Sequence, residues 1–125
     1  MSYRSPLGRA RGLGSAKEGT HHFWVQRVSA VALIPLTLWF VFSLAKLPAA
    51  SYEAVRWWVA APSVAVALIL FIATATYHSM LGLQVVIEDY TTPEGTKVLV
   101  ILLMKLAHAV IGVAGVFAVL KVALS

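Results

Sequence analysis

This chain of 125 residues is 60% hydrophobic and only 12% charged, and it contains no cysteine. The composition excludes an ordinary soluble domain and indicates one small integral membrane protein. The lack of cysteine excludes disulfides, thiolate zinc sites and cysteine-bound iron–sulfur clusters within the chain. The formal net charge of +5 does not predict a nucleic-acid partner, because the basic residues flank apolar runs and do not form one basic face.

Three apolar runs organise the chain, and they cover residues 28–45, 57–87 and 98–123. A hydrocarbon core of about 30 Å takes roughly 20 helical residues, so each run is long enough to cross it. We therefore predict an all-α integral membrane protein with three transmembrane helices at approximately 22–46, 57–90 and 97–123. Residues 1–19 are rich in glycine and basic side chains, which predicts a flexible basic arm before a three-helix domain of residues 20–125.

The distribution of Lys and Arg predicts the orientation of the helices. Five of these residues precede the first apolar run and Lys97 lies in the second loop. The opposite side has Lys46, Arg56 and the terminal Lys121. The excess of positive charge predicts that the N-terminus and the second loop are cytoplasmic, with the C-terminus outside.

The second helix contains the candidate site, in the segment YHSMLGLQVVIEDY from Tyr77 to Tyr90. His78 and Gly82 are one turn apart on one helix face, and Asp89 returns to that face after eleven residues. Histidine is a common axial ligand of haem iron, and a glycine one turn away leaves room for a porphyrin edge. Asp89 and Tyr90 lie roughly 17 Å further along, where the helix would meet water. The segment indicates a site for a flat cofactor within the membrane.

Each of these residues also has a simpler interpretation. His78 could form a hydrogen bond across the bundle, Asp89 and Tyr90 could only anchor the helix end at the interface, and Arg27 could bind lipid headgroups. His108 of the third helix is predicted at a depth similar to that of His78, so an internal bis-histidine site is an alternative.

Three further predictions concern packing and solvation. Lys105, His108, Gly112 and Gly115 share one face of the third helix, and the small residues there favour close helix contact. The adjacent His21 and His22 are predicted to be solvated. Trp57 and Trp58 are predicted to form an aromatic belt at the membrane interface.

Two segments resemble the small hydrophobic anchor subunit of succinate dehydrogenase, the bacterial respiratory complex II, of the cytochrome b556 haem-containing type. They are residues 19–31, GTHHFWVQRVSAV, and the pattern His78-xxx-Gly82-x₆-Asp89-Tyr90. The resemblance implies that His78 is an axial ligand of the iron of haem b and that Arg27 lies near the haem propionates. It implies that Tyr90 forms a hydrogen bond with ubiquinone and that Asp89 lies beside that site. It assigns no role to His108.

The same resemblance implies the partners and the location. A second three-helix anchor subunit would pair with this chain around haem b and supply the other ligand. FAD would belong to a flavoprotein subunit and the iron–sulfur clusters to an iron–sulfur subunit. The chain would be a non-catalytic, multi-pass subunit of the bacterial cytoplasmic (inner) membrane, in electron transport and the tricarboxylic acid cycle. Two alternatives are a haem-free quinone-binding anchor of a fumarate reductase-like complex and a small assembly or transport protein without a redox role.

Overall fold

The computed structural model describes residues 5–10, 17–47 and 51–125, and all its regular structure there is helical. Three helices, with spans of Gly19–Lys46, Pro62–Tyr90 and Glu94–Ala123, are long and apolar enough to cross a membrane. The predicted all-α fold with three membrane-spanning helices is confirmed. In chain order, the elements are α1 (Pro6–Ala10), α2 (Lys17–Lys46), α3 (Tyr52–Ala60), α4 (Pro62–Tyr90) and α5 (Glu94–Ala123).

The region predicted as one helix over residues 57–90 is two helices in the structure. Helix α3 ends at Ala60, Ala61 is extended with φ −62° and ψ 125°, and Pro62 begins α4. Proline disfavours the helical conformation of the residue before it and is itself favoured at the first helical position, so the Ala61-Pro62 pair separates the two helices. Ser51 caps the start of α3, where its hydroxyl accepts a hydrogen bond of 3.2 Å from the Ala54 N–H.

The other helix starts also lie earlier than predicted. Helix α2 begins at Lys17 and α5 at Glu94, not at residues 22 and 97. The predicted boundary between residues 19 and 20 therefore lies within α2. Much of the predicted basic arm, residues 1–4 and 11–16, lies outside the described residues, and its flexibility stays a prediction.

Helix α4 is the centre of the bundle. It packs against α2 and α5, while the short α3 contacts α4 and α5. In the described part of the chain α2 and α5 have no backbone contact with each other, so a cleft lies between them over α4. A small buried cluster of Ala65, Leu68 and Val119 holds α4 and α5 together at the end near α3. Most other large apolar side chains are exposed, as expected where lipid or another apolar helix covers them.

Aromatic side chains fix α2 and α3 at this end of the bundle. Trp58 stacks on Trp39 at a centroid distance of 6.0 Å, and Phe40 stacks on Phe71 at 5.0 Å. Trp57 is 76% exposed. Trp58 is half-buried against Trp39 and Phe40, and the predicted aromatic belt of Trp57 and Trp58 stays a prediction.

Helices α4 and α5 approach closely at two glycines. A Cβ atom at Gly112 would lie 3.3 Å from Thr76 Cγ2, and one at Gly115 would lie 3.1 Å from Ile72 Cγ2. A side chain at either position would have to displace this neighbouring side chain by a few tenths of an ångström. The predicted close contact through small residues is confirmed.

Candidate functional site

His78 is connected to α2 by a hydrogen bond to a buried serine. The Nδ1 atom of His78 lies 2.9 Å from Ser29 Oγ, and Ser29 Oγ lies 2.9 Å from the Gln26 carbonyl oxygen. A serine hydroxyl has one proton and a carbonyl oxygen only accepts. When Ser29 donates to Gln26, its oxygen accepts from the Nδ1–H of His78. The lone pair of the imidazole is then on Nε2, which has no hydrogen-bond partner among the described residues.

The His78 ring lies in a groove between α2 and α4 that also includes an arginine. The groove has a volume of about 330 Å³ and is lined by Phe23, Gln26, Arg27, Ala30 and His78. The guanidinium of Arg27 lies 5.1 Å from the centroid of the Phe23 ring and is exposed. The groove thus contains the imidazole of His78, whose nitrogen can bind a metal, and the permanently charged guanidinium of Arg27.

One turn along α4, Gly82 leaves the helix surface open. A Cβ atom built there would meet no heavy atom within 4 Å of the described chain. Gly82 therefore differs from Gly112 and Gly115, which serve helix contact. No neighbour within this chain requires a glycine at position 82. The missing side chain therefore leaves free space one helical turn from His78.

His108 has a different environment. Its Nδ1 lies 2.9 Å from the Met104 carbonyl oxygen, so Nδ1–H donates, and its Nε2 lies 3.2 Å from Ser79 Oγ, which donates to it. Both ring nitrogens are used within the chain. His108 lines a separate groove between α4 and α5, which His78 does not line. The structure does not bring the two rings together, and the internal bis-histidine alternative loses its support.

Asp89 and Tyr90 form the exposed end of α4. Tyr90 is 85% exposed and Asp89 is also exposed. The helix ends there with the N–H of Thr91 bonded to the Ile87 carbonyl at 3.0 Å. With a rise of 1.5 Å per residue, the two side chains lie about 17 Å along α4 from His78. The candidate residues thus occupy two places on one helix, an imidazole groove and an exposed acid–phenol end.

The two histidines at the start of α2 are not equivalent. His21 is exposed, whereas His22 is half-buried and its Nε2 atom is buried without a hydrogen-bond partner in the described residues. The prediction that both are solvated is wrong for His22, whose Nε2 is buried where the ring lines an open cavity together with Gln84 of α4 and Lys105 of α5.

Sequence reasoning missed Ser29, which is only 7% exposed. Its sole signal is a hydroxyl within the apolar run of α2, and Thr37 and Ser43 give the same signal. The partner of Ser29 is 49 residues away, so helical spacing could not reveal it.

The fold and these residues define a helical membrane protein with a groove between two of its helices and an exposed polar helix end. The chain matches the family of succinate dehydrogenase/fumarate reductase transmembrane subunits over residues 1–118, and it belongs to that family. The predicted resemblance is confirmed.

Two relatives illustrate the similarity, and both are succinate dehydrogenase hydrophobic membrane anchor subunits. The protein of Paracoccus denitrificans is 36% identical over 124 residues, which cover 99% of this chain and 95% of the relative. That of Rickettsia bellii is 32% identical over 117 residues, which cover 94% of each chain. The similarity therefore extends over all three membrane spans.

Proposed function

We propose that this chain is the membrane anchor subunit of a succinate:ubiquinone oxidoreductase, and that it binds haem b through His78 and ubiquinone through Tyr90. The observation that carries the proposal is the His78 imidazole, whose Nδ1 is held by Ser29 and whose Nε2 is free in the groove that Arg27 lines. Membership in the family of succinate dehydrogenase/fumarate reductase transmembrane subunits supports haem as the ligand of this groove.

The residues of the groove fit a haem. Iron takes the lone pair of a neutral imidazole, and a hydrogen bond on the other ring nitrogen fixes the tautomer and the ring orientation. Ser29 provides that bond. The Arg27 guanidinium matches the charge of a propionate carboxylate, and the open surface at Gly82 leaves room for the porphyrin. When bound, haem b would supply a one-electron carrier within the membrane, and we expect a second anchor subunit to provide the other ligand.

Ubiquinone binds at the other place, the end of α4. The Tyr90 phenol donates a hydrogen bond to a quinone carbonyl oxygen, which becomes more negative as electrons arrive. Asp89, next in the chain, adjusts the local charge or holds a proton that the reduced quinone takes up. The exposure of Tyr90 leaves it available to a peripheral subunit. Electrons from succinate reach this place through the FAD and iron–sulfur clusters of the flavoprotein and iron–sulfur subunits, so this chain is non-catalytic.

The orientation follows from the charges. Lys97 and the five Lys and Arg residues before the first apolar run support a cytoplasmic location for the N-terminus and for the Tyr90 end of α4 at the bacterial inner membrane. The peripheral subunits then dock on the same side. The short connection between Tyr90 and Glu94 keeps α5 next to this surface.

The test compares two histidines in the assembly purified in mild detergent. His78→Ala should abolish the low-spin haem spectrum, because iron without one axial ligand becomes five-coordinate or binds water. His108→Ala is the matched control and should keep the spectrum, since both its nitrogens are engaged within the chain. An unchanged low-spin spectrum in His78→Ala would refute the haem assignment.

The composition of the same preparation separates the alternatives. Flavin and iron–sulfur subunits without a b-type spectrum in the unsubstituted protein would indicate a haem-free, fumarate reductase-like anchor. Purification without those subunits would indicate an assembly or transport protein. We expect all three components together.

A further inference from the structure

A second polar cavity lies between α2 and α5, over α4. It has a volume of about 400 Å³ and receives side chains from all three helices. Its polar lining consists of His21, His22, Tyr77, Gln84 and Lys105. None of these residues lines the groove of His78 and Arg27, so the cavity is separate from the proposed haem site.

Two donors of this cavity, His22 and Lys105, lack partners within the described chain. In contrast, Gln84 Nε2 donates to the Glu88 carboxylate at 2.9 Å. His22 Nε2 is buried without a hydrogen bond. The single ion pair of the described residues joins Lys97 and Glu94, so Lys105 has no acidic partner there. No acidic side chain lines the cavity. A buried donor beside an unpaired cation favours an anion with several acceptor oxygens.

The depth of the cavity corresponds to the boundary between lipid headgroups and hydrocarbon. The exposed Trp57 marks the opposite interface just before α4 begins at Pro62. From there, about 30 Å of hydrocarbon corresponds to roughly 20 helical residues and ends near Leu81. On α5, the roughly 20 residues that cross the hydrocarbon, counted back from Ala123, begin close to Lys105. The anion abundant at this depth is the phosphate of a phospholipid.

An apolar groove continues from the cavity into the membrane. This groove of about 520 Å³ between α4 and α5 shares Tyr77, Met80 and Lys105 with the cavity and extends to Leu120. Lys105 and Leu120 are separated by about 22 Å of helix, whereas one leaflet's half of the hydrocarbon is about 15 Å thick. The groove is therefore long enough for a whole acyl chain, with the polar cavity at its headgroup end.

We propose that this chain binds one anionic phospholipid, with the phosphodiester at His22 and Lys105 and an acyl chain along α4 and α5. The ammonium of Lys105 reaches the phosphate while its stem stays against the apolar groove. Nε2–H of His22 donates to a phosphate oxygen. The lipid would thereby join α2 to α5, which lack direct backbone contact.

Retained lipid tests the proposal in the native assembly, purified in detergent and washed by repeated exchange. Mass spectrometry of the extract should find about one anionic phospholipid per assembly. Lys105→Gln should lower this amount about fivefold or more, the effect of one basic residue at the lipid surface. Lys105→Arg keeps the charge and should retain the lipid. Lys121→Gln, at the far end of α5, is the control and should also retain it.

If Lys105→Gln fails to assemble, His22→Leu tests the other donor and should give a similar loss. Wild-type lipid content in that variant would then overturn the proposal, as it would in an assembled Lys105→Gln. A washed unsubstituted assembly without phospholipid would also overturn it, and would indicate that another membrane subunit covers the groove.

Addition of lipid to the washed assembly identifies the headgroup chemistry. Phosphatidylglycerol should raise the melting temperature, whereas phosphatidylcholine with the same acyl chains and inorganic phosphate should not. Equal effects of the two lipids would refute the charge-based site. An equal effect of inorganic phosphate would show that the cavity binds a free anion and would refute the acyl-chain groove.

Discussion

The hydrogen bond between Ser29 and His78 gives the sharpest test of the proposed haem groove. Ser29→Ala removes one hydroxyl and keeps nearly the same volume, so packing between α2 and α4 changes little. The substitution leaves Nδ1 of His78 without its partner at a part-buried position. The imidazole of His78 is kept, and only the hydrogen bond that orients it is lost. The variant therefore tests the effect of ring orientation alone.

The expected magnitude follows from this geometry. An unsatisfied polar group at such a site costs about 1 to 3 kcal/mol. Loss of the outer hydrogen bond of a metal-binding histidine lowers metal affinity about ten- to a hundredfold. We therefore expect Ser29→Ala to assemble and to lose haem at least tenfold faster than the unsubstituted protein. The remaining haem should show an altered low-spin electron paramagnetic resonance signal.

The assay follows transfer of haem from the purified assembly to an excess of an apo-haemoprotein acceptor. Ser79→Ala is the matched control, because it removes the corresponding hydrogen bond of His108 at 3.2 Å. Ser29→Thr keeps a hydroxyl and should retain haem better than Ser29→Ala. Equal haem loss from Ser29→Ala and Ser79→Ala would refute the assignment of Ser29 as the residue that orients the haem ligand.

Two further substitutions test the quinone end and the helix contact. Tyr90→Phe removes only a hydroxyl from a side chain that is 85% exposed, so succinate-to-quinone turnover should fall about ten- to a hundredfold while reduction of an artificial acceptor stays normal. Tyr52→Phe, at a tyrosine 77% exposed, is its control, and a parallel fall of both activities would instead indicate an assembly defect. Gly115→Val should destabilise the chain by about 1 to 3 kcal/mol, because even a Cβ atom there would lie 3.1 Å from Ile72. Gly95→Val meets open space, and an equal change in melting temperature for both variants would contradict this packing argument.

The sequence alone predicts features that depend on one helix at a time. The length of the apolar runs determines three spans, since a hydrocarbon core of given thickness takes a fixed number of helical residues. The helical period places His78 and Gly82 on one face, with Asp89 and Tyr90 at the helix end. The same period predicts Gly112 and Gly115 as a contact face. The Ala61-Pro62 pair that separates α3 from α4 is also visible in the sequence. The continuous apolar run around it nevertheless favoured the prediction of one helix.

Contacts between helices were decided only by the tertiary structure. The spans are apolar on nearly all sides, so no polar stripe in the sequence shows which face meets which neighbour. The rotation of α2 against α4 pairs Ser29 with His78 and brings Arg27 into the same groove. The rotation of α5 directs His108 to Ser79 and places Lys105 in the cavity that His22 lines. These outcomes depend on how side chains of separate helices fit together, and the periodicity of a single helix contains no information about that fit.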